Sequence, residues 1–356
     1  MEKFSTYCAA VDQPNLRGVL RMKLSILDQS QVCEGQTAAQ ALVNTTKLAQ
    51  EADRLGYHRY WVSEHHSSRS LAHSSPEVLL AHLGANTKRI RLGSGGIMLP
   101  HYSAYKVAEN FKLLEALNPG RIDVGLGRAP GGMPLSTRAL QEGRYGDIDR
   151  YPEQVNDLLN YLYDSLPAGH RFAGLHASPA IQTKPELWLL GSSLGTAQIA
   201  ARMGLPYAYA QFFGVPGSED AIAYYLDRYQ PNALHPEPRA LAAVMVICAD
   251  TEEEAARLAT STELFFLSLE QGRMLDFFPS VETAESYPYT EYDRERIRAG
   301  AHRRILGTPE QVKARLENMS EQFGIDEFMV VTITHDFDAR IKSYRLLAEA
   351  FGLSSN

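Results

Sequence analysis

From Met22 onward, short apolar runs alternate with longer stretches whose apolar residues recur every three or four positions. Residues 23–27 (KLSIL) alternate apolar and polar and end at the turn-forming Asp28-Gln29-Ser30, which predicts a strand. Residues 37–55 place Ala38, Ala41, Leu42, Thr45, Leu48, Ala49 and Ala52 on one helical face, and Gly56 supplies the stop. The rhythm then repeats. Further strands are predicted at 60–62, from 89 through the glycine-rich 93–96 towards 100, and at 122–127, 187–190, 207–212, 241–249 and 327–334. Helices are predicted at 75–88, 104–117, 151–162, 196–203, 218–229, from 252 onward and at 338–351. Ser75-Pro76 opens the second helix, and Asn118-Pro119-Gly120 closes the third.

Eight buried strands, each followed by a helix, imply parallel βαβ units. Spread over residues 22–356, they fit a single (β/α)8 TIM barrel. An open doubly wound sheet shares the same periodicity. The first strand-to-helix turn has no GxGxxG, which counts against a dinucleotide fold. Two segments break the rhythm, 129–150 after the fourth strand and 267–307 after the seventh. At those places a barrel builds its site, so the segments are candidate walls or lids, or else decoration.

Composition narrows the picture. Of 356 residues, 44% are hydrophobic, enough for a large core and against intrinsic disorder. The 35 basic and 42 acidic side chains leave a net charge of −7, and no basic cluster suits a nucleic acid. The longest apolar run, 240–249, is far short of the roughly 18–20 residues a membrane span requires. Residues 1–21 lack the continuous apolar segment of a secretory signal. Cys8, Cys33 and Cys248 are odd in number and contain no CxxC, which suits free thiols in a reducing compartment. A cytoplasmic protein is the expectation.

Candidate chemistry gathers at predicted strand ends. Glu64-His65-His66 follows strand two, where histidine can move protons near neutral pH or close the rim by hydrogen bonds. No metal-ligand spacing accompanies it, so no metal is expected. Gly95 and Gly96 end strand three, where glycine lets a flat ligand approach the backbone. Strand four ends in Gly125-Leu126-Gly127-Arg128, which adds a cation able to fork to a phosphate. Strand five runs through Gly191-Ser192-Ser193-Leu194-Gly195-Thr196 into a helix, either an anion-binding N-terminus or an ordinary capped turn. Glu64 with Asp123 would alternatively suit a barrel hydrolase.

In order and spacing these segments resemble the bacterial luciferase-like flavin monooxygenases. The residues that carry the likeness are Leu24–Asp28, 49–56 (AQEADRLG), 61–66 (WVSEHH), 93–100 (GSGGIMLP), 120–128 (GRIDVGLGR), 200–206 (AARMGLP) and 306–310 (LGTPE). The resemblance covers residue 22 to the C-terminus and leaves 1–21 as an extension outside it. It implies a dimeric barrel that binds reduced FMN at the strand C-termini, adds O2 to form a flavin C4a-hydroperoxide, and oxidises a small organic substrate. It implies His65 as the catalytic histidine with Glu64 beside it, and Arg128, Ser192, Ser193 and Thr196 around the flavin phosphate. Gly95-Gly96 matches a bulge beneath the isoalloxazine, often with a cis peptide. Gly127 stands where luciferase has a reactive cysteine, so neither thiol chemistry there nor light emission is expected. Phe277, Phe278, Tyr287 and Tyr289 make 267–307 a lid candidate. A flavin reductase drawing on NAD(P)H is a possible partner. The alternatives are F420-dependent hydride transfer and a flavin-binding protein without turnover.

Overall fold

A computed structural model describes residues 22–142 and 148–354. The extension 1–21, with Cys8, and part of segment 129–150 lie outside the described residues. Among the described residues ten strands form one sheet: β1 (Lys23–Asp28), β2 (Arg59–Val62), β3 (Arg91–Ser94), β4 (Ile97–Met98), β5 (Ile122–Gly127), β6 (Glu186–Gly191), β7 (Tyr207–Ala210), β8 (Ala240–Cys248), β9 (Arg304–Gly307) and β10 (Glu327–Val331). All pairings are parallel, and β10 bonds to both β8 and β1. That closure excludes the open sheet. β1, β2, β3, β5, β6, β7, β8 and β10 make the eight-stranded barrel. β4 resumes β3's course beside β5 after Gly95-Gly96, and β9 runs along the end of β8 from Met245 to Cys248.

The helices are α1 (Ala38–Leu55), α2 (Pro76–Asn86), α3 (Ala104–Leu117), α4 (Pro134–Gln141), α5 (Tyr151–Leu162), α6 (Leu194–Met203), α7 (Ala221–Arg228), α8 (Glu252–Glu270), α9 (Val281–Ser286), α10 (Glu291–Ala299), α11 (Pro309–Phe323) and α12 (Phe337–Ala350). Local signals set their limits. Thr37 and Gln40 form a reciprocal capping box on α1, and Gly56, at φ 86°, ends it. Strands are buried on both faces, as parallel sheets require. Leu24 and Ile26 pack in the outer apolar layer with Leu48, Ala49 and Ala52 of α1. Leu27, Trp61, Trp188, Met245 and Met329 form a second cluster.

At the strand N-termini the barrel is plugged by charge. Arg59 is buried, with Nη1 donating to Asp123 (2.8 Å) and Glu186 (2.9 Å) and Nε to Glu327 (2.7 Å). Trp61 and Arg91 also bond to Asp123, and Arg239 to Glu186. Asp123 is thus spent in this network. Glu64 lies beyond the opposite ends of the strands, so the two carboxylates do not form a hydrolytic pair.

The long segments differ from the expectation in detail. The first holds α4 and a turn of helix at Ile148–Arg150. In the second, α8 continues to Glu270, and only then does the chain build α9, α10, β9 and α11. The seventh strand is therefore followed by two long helices rather than one, and β9 occupies the sheet between them.

Candidate functional site

The barrel mouth begins where β3 breaks. The Gly95-Gly96 peptide is cis, as the resemblance implies. A Cβ on Gly95 would lie 2.7 Å from Leu27 Cδ1, and one on Gly96 would lie 2.7 Å from the Gly125 carbonyl. On Gly125 it would come within 2.0 Å of the Ser94 carbonyl. Ser94 Oγ donates to the Gly125 carbonyl and accepts from its N–H, locking the two strands together. Only glycine fits this packing. Gly127 faces Met98, whose Cε would be 2.8 Å from a Cβ there.

Glu64 leaves β2 buried and fully engaged. Its Oε1 accepts from His66 Nε2 and Tyr102 Oη, each at 2.8 Å, and its Oε2 from the Met98 N–H at 3.1 Å. The carboxylate therefore ties the β2 loop to the backbone just past the glycine bulge. The start of segment 129–150 is fastened to the same cluster. Gly131, at φ 62°, accepts from the His66 N–H, and Pro130 accepts from His101 Nε2. These 129–132 residues are a wall of the site.

His65 is held differently. Its Nδ1 lies 2.5 Å from the Glu64 carbonyl, an acceptor, so the proton sits on Nδ1 and the Nε2 lone pair is left open. Burial, reinforced by neighbouring His73, lowers its pKa to about 4, against the pull of Glu64. At neutral pH it is an uncharged ring. His73 was not foreseen as a site residue, yet both its ring nitrogens are buried without a hydrogen-bond partner. Tyr102 and His101 were missed as well. They reach the cluster through the turn after β4, and the adjacent His101-Tyr102 pair was the available signal.

Across the mouth, α6 starts at Leu194, two residues before the predicted position, with Ser193 as N-cap. The Ser193 side chain makes no capping bond, so the first-turn N–H groups have no side-chain acceptor from that residue. Arg128 Nη2 lies 3.4 Å from where a Cβ on Gly195 would sit, bringing the guanidinium against this helix start. Thr196 is buried behind Gly191, where a Cβ would approach its Oγ1 to 2.5 Å. Ser192 and Ser193 are half-buried. Together they place small hydroxyl side chains and a guanidinium at one helix start, donors of the kind a phosphate takes.

The lid aromatics divide. Phe278 is buried in the inner cluster, and its backbone bonds to Val32 and Glu34 fasten the segment over the β1 loop. Phe277 is exposed. Tyr287 and Tyr289 pack on each other 4.8 Å apart. Burial pushes the Cys33 thiol up to about 11 and the Cys248 thiol up to about 12, so neither is a reactive thiolate at neutral pH. Among the described residues, no three His, Cys, Asp or Glu side chains gather as a metal group, and no helix is long and apolar enough to cross a membrane.

The sequence profile described as "luciferase-like monooxygenase" matches residues 22–327. The N-acetyl-S-alkylcysteine monooxygenase of Bacillus subtilis is 42% identical over 335 residues, spanning 92% of this chain and 98% of its own. A luciferase-like monooxygenase of Escherichia coli K12 is 34% identical, spanning 90% and 95%. Among solved structures, apo-MsnO8 is 38% identical, with a TM-score of 0.84 over 94% of this chain and 100% of its own. The FMN complex of the oxygenating constituent of 3,6-diketocamphane monooxygenase from Pseudomonas putida shares the fold, with a TM-score of 0.68 at 19% identity over 93% of this chain and 97% of that one.

Proposed function

The chain belongs to the luciferase-like monooxygenase family, and we propose that it oxidises a small organic substrate with reduced FMN and O2. The observation that carries the cofactor reading is the open anion cradle: the Arg128 guanidinium against Gly195, at a helix start whose N-cap side chain makes no bond. These donors fit a phosphate monoester. Arg128, Ser192, Ser193, Thr196 and the first N–H groups of α6 would hold that group. Gly95, Gly96 and Gly127 would admit the flat ring to the backbone. When bound, reduced FMN supplies the electrons that activate oxygen.

The chain's own residues then have separable tasks. Glu64 is a positioning residue, because its bonds to Met98, Tyr102 and His66 fix the loop that bears His65. His65 is the proposed catalytic residue, an uncharged acceptor that takes or shares a proton at Nε2. The 129–132 wall and the Phe278 plug restrict water at the mouth, which protects reactive oxygen chemistry from side reactions.

Titration with FMN and reduced FMN, followed by oxygen uptake with product analysis, tests this reading. Binding of reduced FMN with substrate-dependent product formation supports it. Turnover only with F420 under anaerobic conditions would replace it with hydride transfer, and flavin binding without any product would leave a binding protein. We extend the proposal to a cytoplasmic homodimer supplied by a separate flavin reductase. Val78 of α2 and Leu113 and Leu117 of α3 are exposed apolar side chains that a second copy would cover. Light scattering tests the dimer.

A further inference from the structure

A second feature of the mouth lies across the barrel from the bulge, where the segment after α8 meets the ends of β7 and β8. A cavity of about 90 Å³ opens there. Its floor is apolar, formed by Phe212, Met245 and Phe266. Its wall carries two carboxylates, Glu263 and Glu270, and three guanidinium groups, Arg296, Arg303 and Arg304. Arg296 and Arg303 both bond to Glu270, and Arg304 bonds to Glu263 at 2.8 Å. Three cations against two anions leave one positive charge in surplus. The Arg304 side chain is only 8% exposed, and its Nε is buried with no hydrogen-bond partner, as is that of Arg303. Unpaired buried donors are costly, and with the surplus positive charge they favour an anion beside Arg303 and Arg304.

We propose that this cavity is a carboxylate-binding subsite, which receives the acid end of an otherwise apolar substrate. It rests on the oxidative reading given above and adds the substrate class. Size agrees with that role. A 150 Å³ apolar cavity accepts benzene, so about 90 Å³ takes roughly four heavy atoms, a carboxylate with its nearest carbons. Continuity with the mouth supplies the rest. Met245, Phe212 and Phe266 belong to the same apolar cluster as Leu27 and Trp61, and these last two pack against Gly95 at the bulge. The apolar floor of the subsite is thus packed against the same core that supports the glycine bulge, and the acid end of a substrate would sit at Arg304.

Calorimetric titration of the purified protein with hexanoate, hexanamide and hexylamine tests the subsite. Hexanoate should bind at least tenfold more tightly than the amide, with no measurable affinity for the amine. R304Q should weaken hexanoate about tenfold and leave hexanamide unchanged, while E263Q, which removes a competing anion, should tighten hexanoate. The opposite signs protect the test from a variant that is merely misfolded, and R304K should retain part of the preference. Equal affinity for acid and amide, no binding of hexanoate at millimolar concentration, or a matching response of both variants overturns the subsite. FMN titration of the same preparations separates the two proposals. Lost flavin binding with intact hexanoate binding removes the cofactor reading alone, and the reverse removes the subsite alone.

Discussion

The two ends of the barrel use charge in opposite ways. At the strand N-termini, Arg59, Arg91 and Arg239 meet Asp123, Glu186 and Glu327 in a lattice of short bonds centred on the buried Arg59 and Asp123. At the strand C-termini, Arg128 lies against a helix start that Ser193 does not cap, His73 keeps both ring nitrogens unpartnered, and the Arg304 Nε is buried without a partner. Unpaired buried atoms occur at the closed end too, on Glu115 and His235, but the Arg59 network itself is fully bonded. Buried polar groups are normally satisfied, so the unpaired groups around the mouth are where a bound ligand would complete the bonding. The closed end serves stability, and the open end is where the proposed ligands would bind.

The sharpest way to break this contrast is to remove one arginine from each end. Arg59→Met leaves Asp123, Glu186 and Glu327 buried without their shared partner, and it should cost about 3–5 kcal/mol of stability in urea unfolding. Arg128→Met should change stability by no more than about 0.5 kcal/mol. It should instead weaken FMN by roughly tenfold or more in a fluorescence titration, since a charge-assisted bond is worth about 1.5–3 kcal/mol. If both variants lose stability alike, the division between the ends fails.

Acid sharpens the contrast within the open end itself, where Asp28, the last residue of β1, is fully paired. Burial alone would raise the Asp28 carboxyl, but the Arg340 guanidinium and bonds from Tyr60, Ser30 and Thr45 outweigh it and hold it at about 2. A carboxyl depressed on folding stabilises above its unfolded value, near 3.8, and that stability is lost as pH falls to 2. The contribution is roughly 2 kcal/mol. Urea midpoints measured from pH 5 to pH 2 should fall in the wild type across that window. Asp28→Asn should show a flatter profile, and parallel profiles would count against the assignment.

The sequence made the barrel legible where physics is local. The eight strands are short, mostly apolar segments bounded by turn residues, as burial on both faces of a parallel sheet requires. β9 escaped because Arg304-Ile305-Leu306-Gly307 has only two apolar side chains, and its place depends on α8 and α10 first bringing it to β8. Arg128 and His65 were readable because they follow strand ends directly. Tyr102, His73 and the Arg303-Arg304 pair were not, because they reach the mouth through loops and insertions whose return path no periodicity encodes. Nor does a Glu-His-His string reveal that the carboxylate is already saturated by Met98, Tyr102 and His66.

The smallest expected effect bears on the open end alone. His65 has a folded pKa of about 4 against 6.5 for a free histidine, so in the folded protein it stays uncharged down to about pH 4. Its sign is opposite to the usual histidine partnered by a carboxylate. The unfolded chain takes up the proton first, so this residue erodes stability as pH falls from 6.5 towards 4, above the window in which Asp28 acts. Burial is the larger cause and His73 the next, with Glu64 pulling the other way. His73→Gln removes a neighbour that would oppose a positive charge on His65, while leaving the ring buried. NMR titration of the His65 ring should therefore show its midpoint move upward in the variant, and the acid limb of substrate oxidation should follow it. A wild-type midpoint near 6.5 would mean that His65 is solvated, and that the open end is wetter than its unpartnered nitrogens indicate.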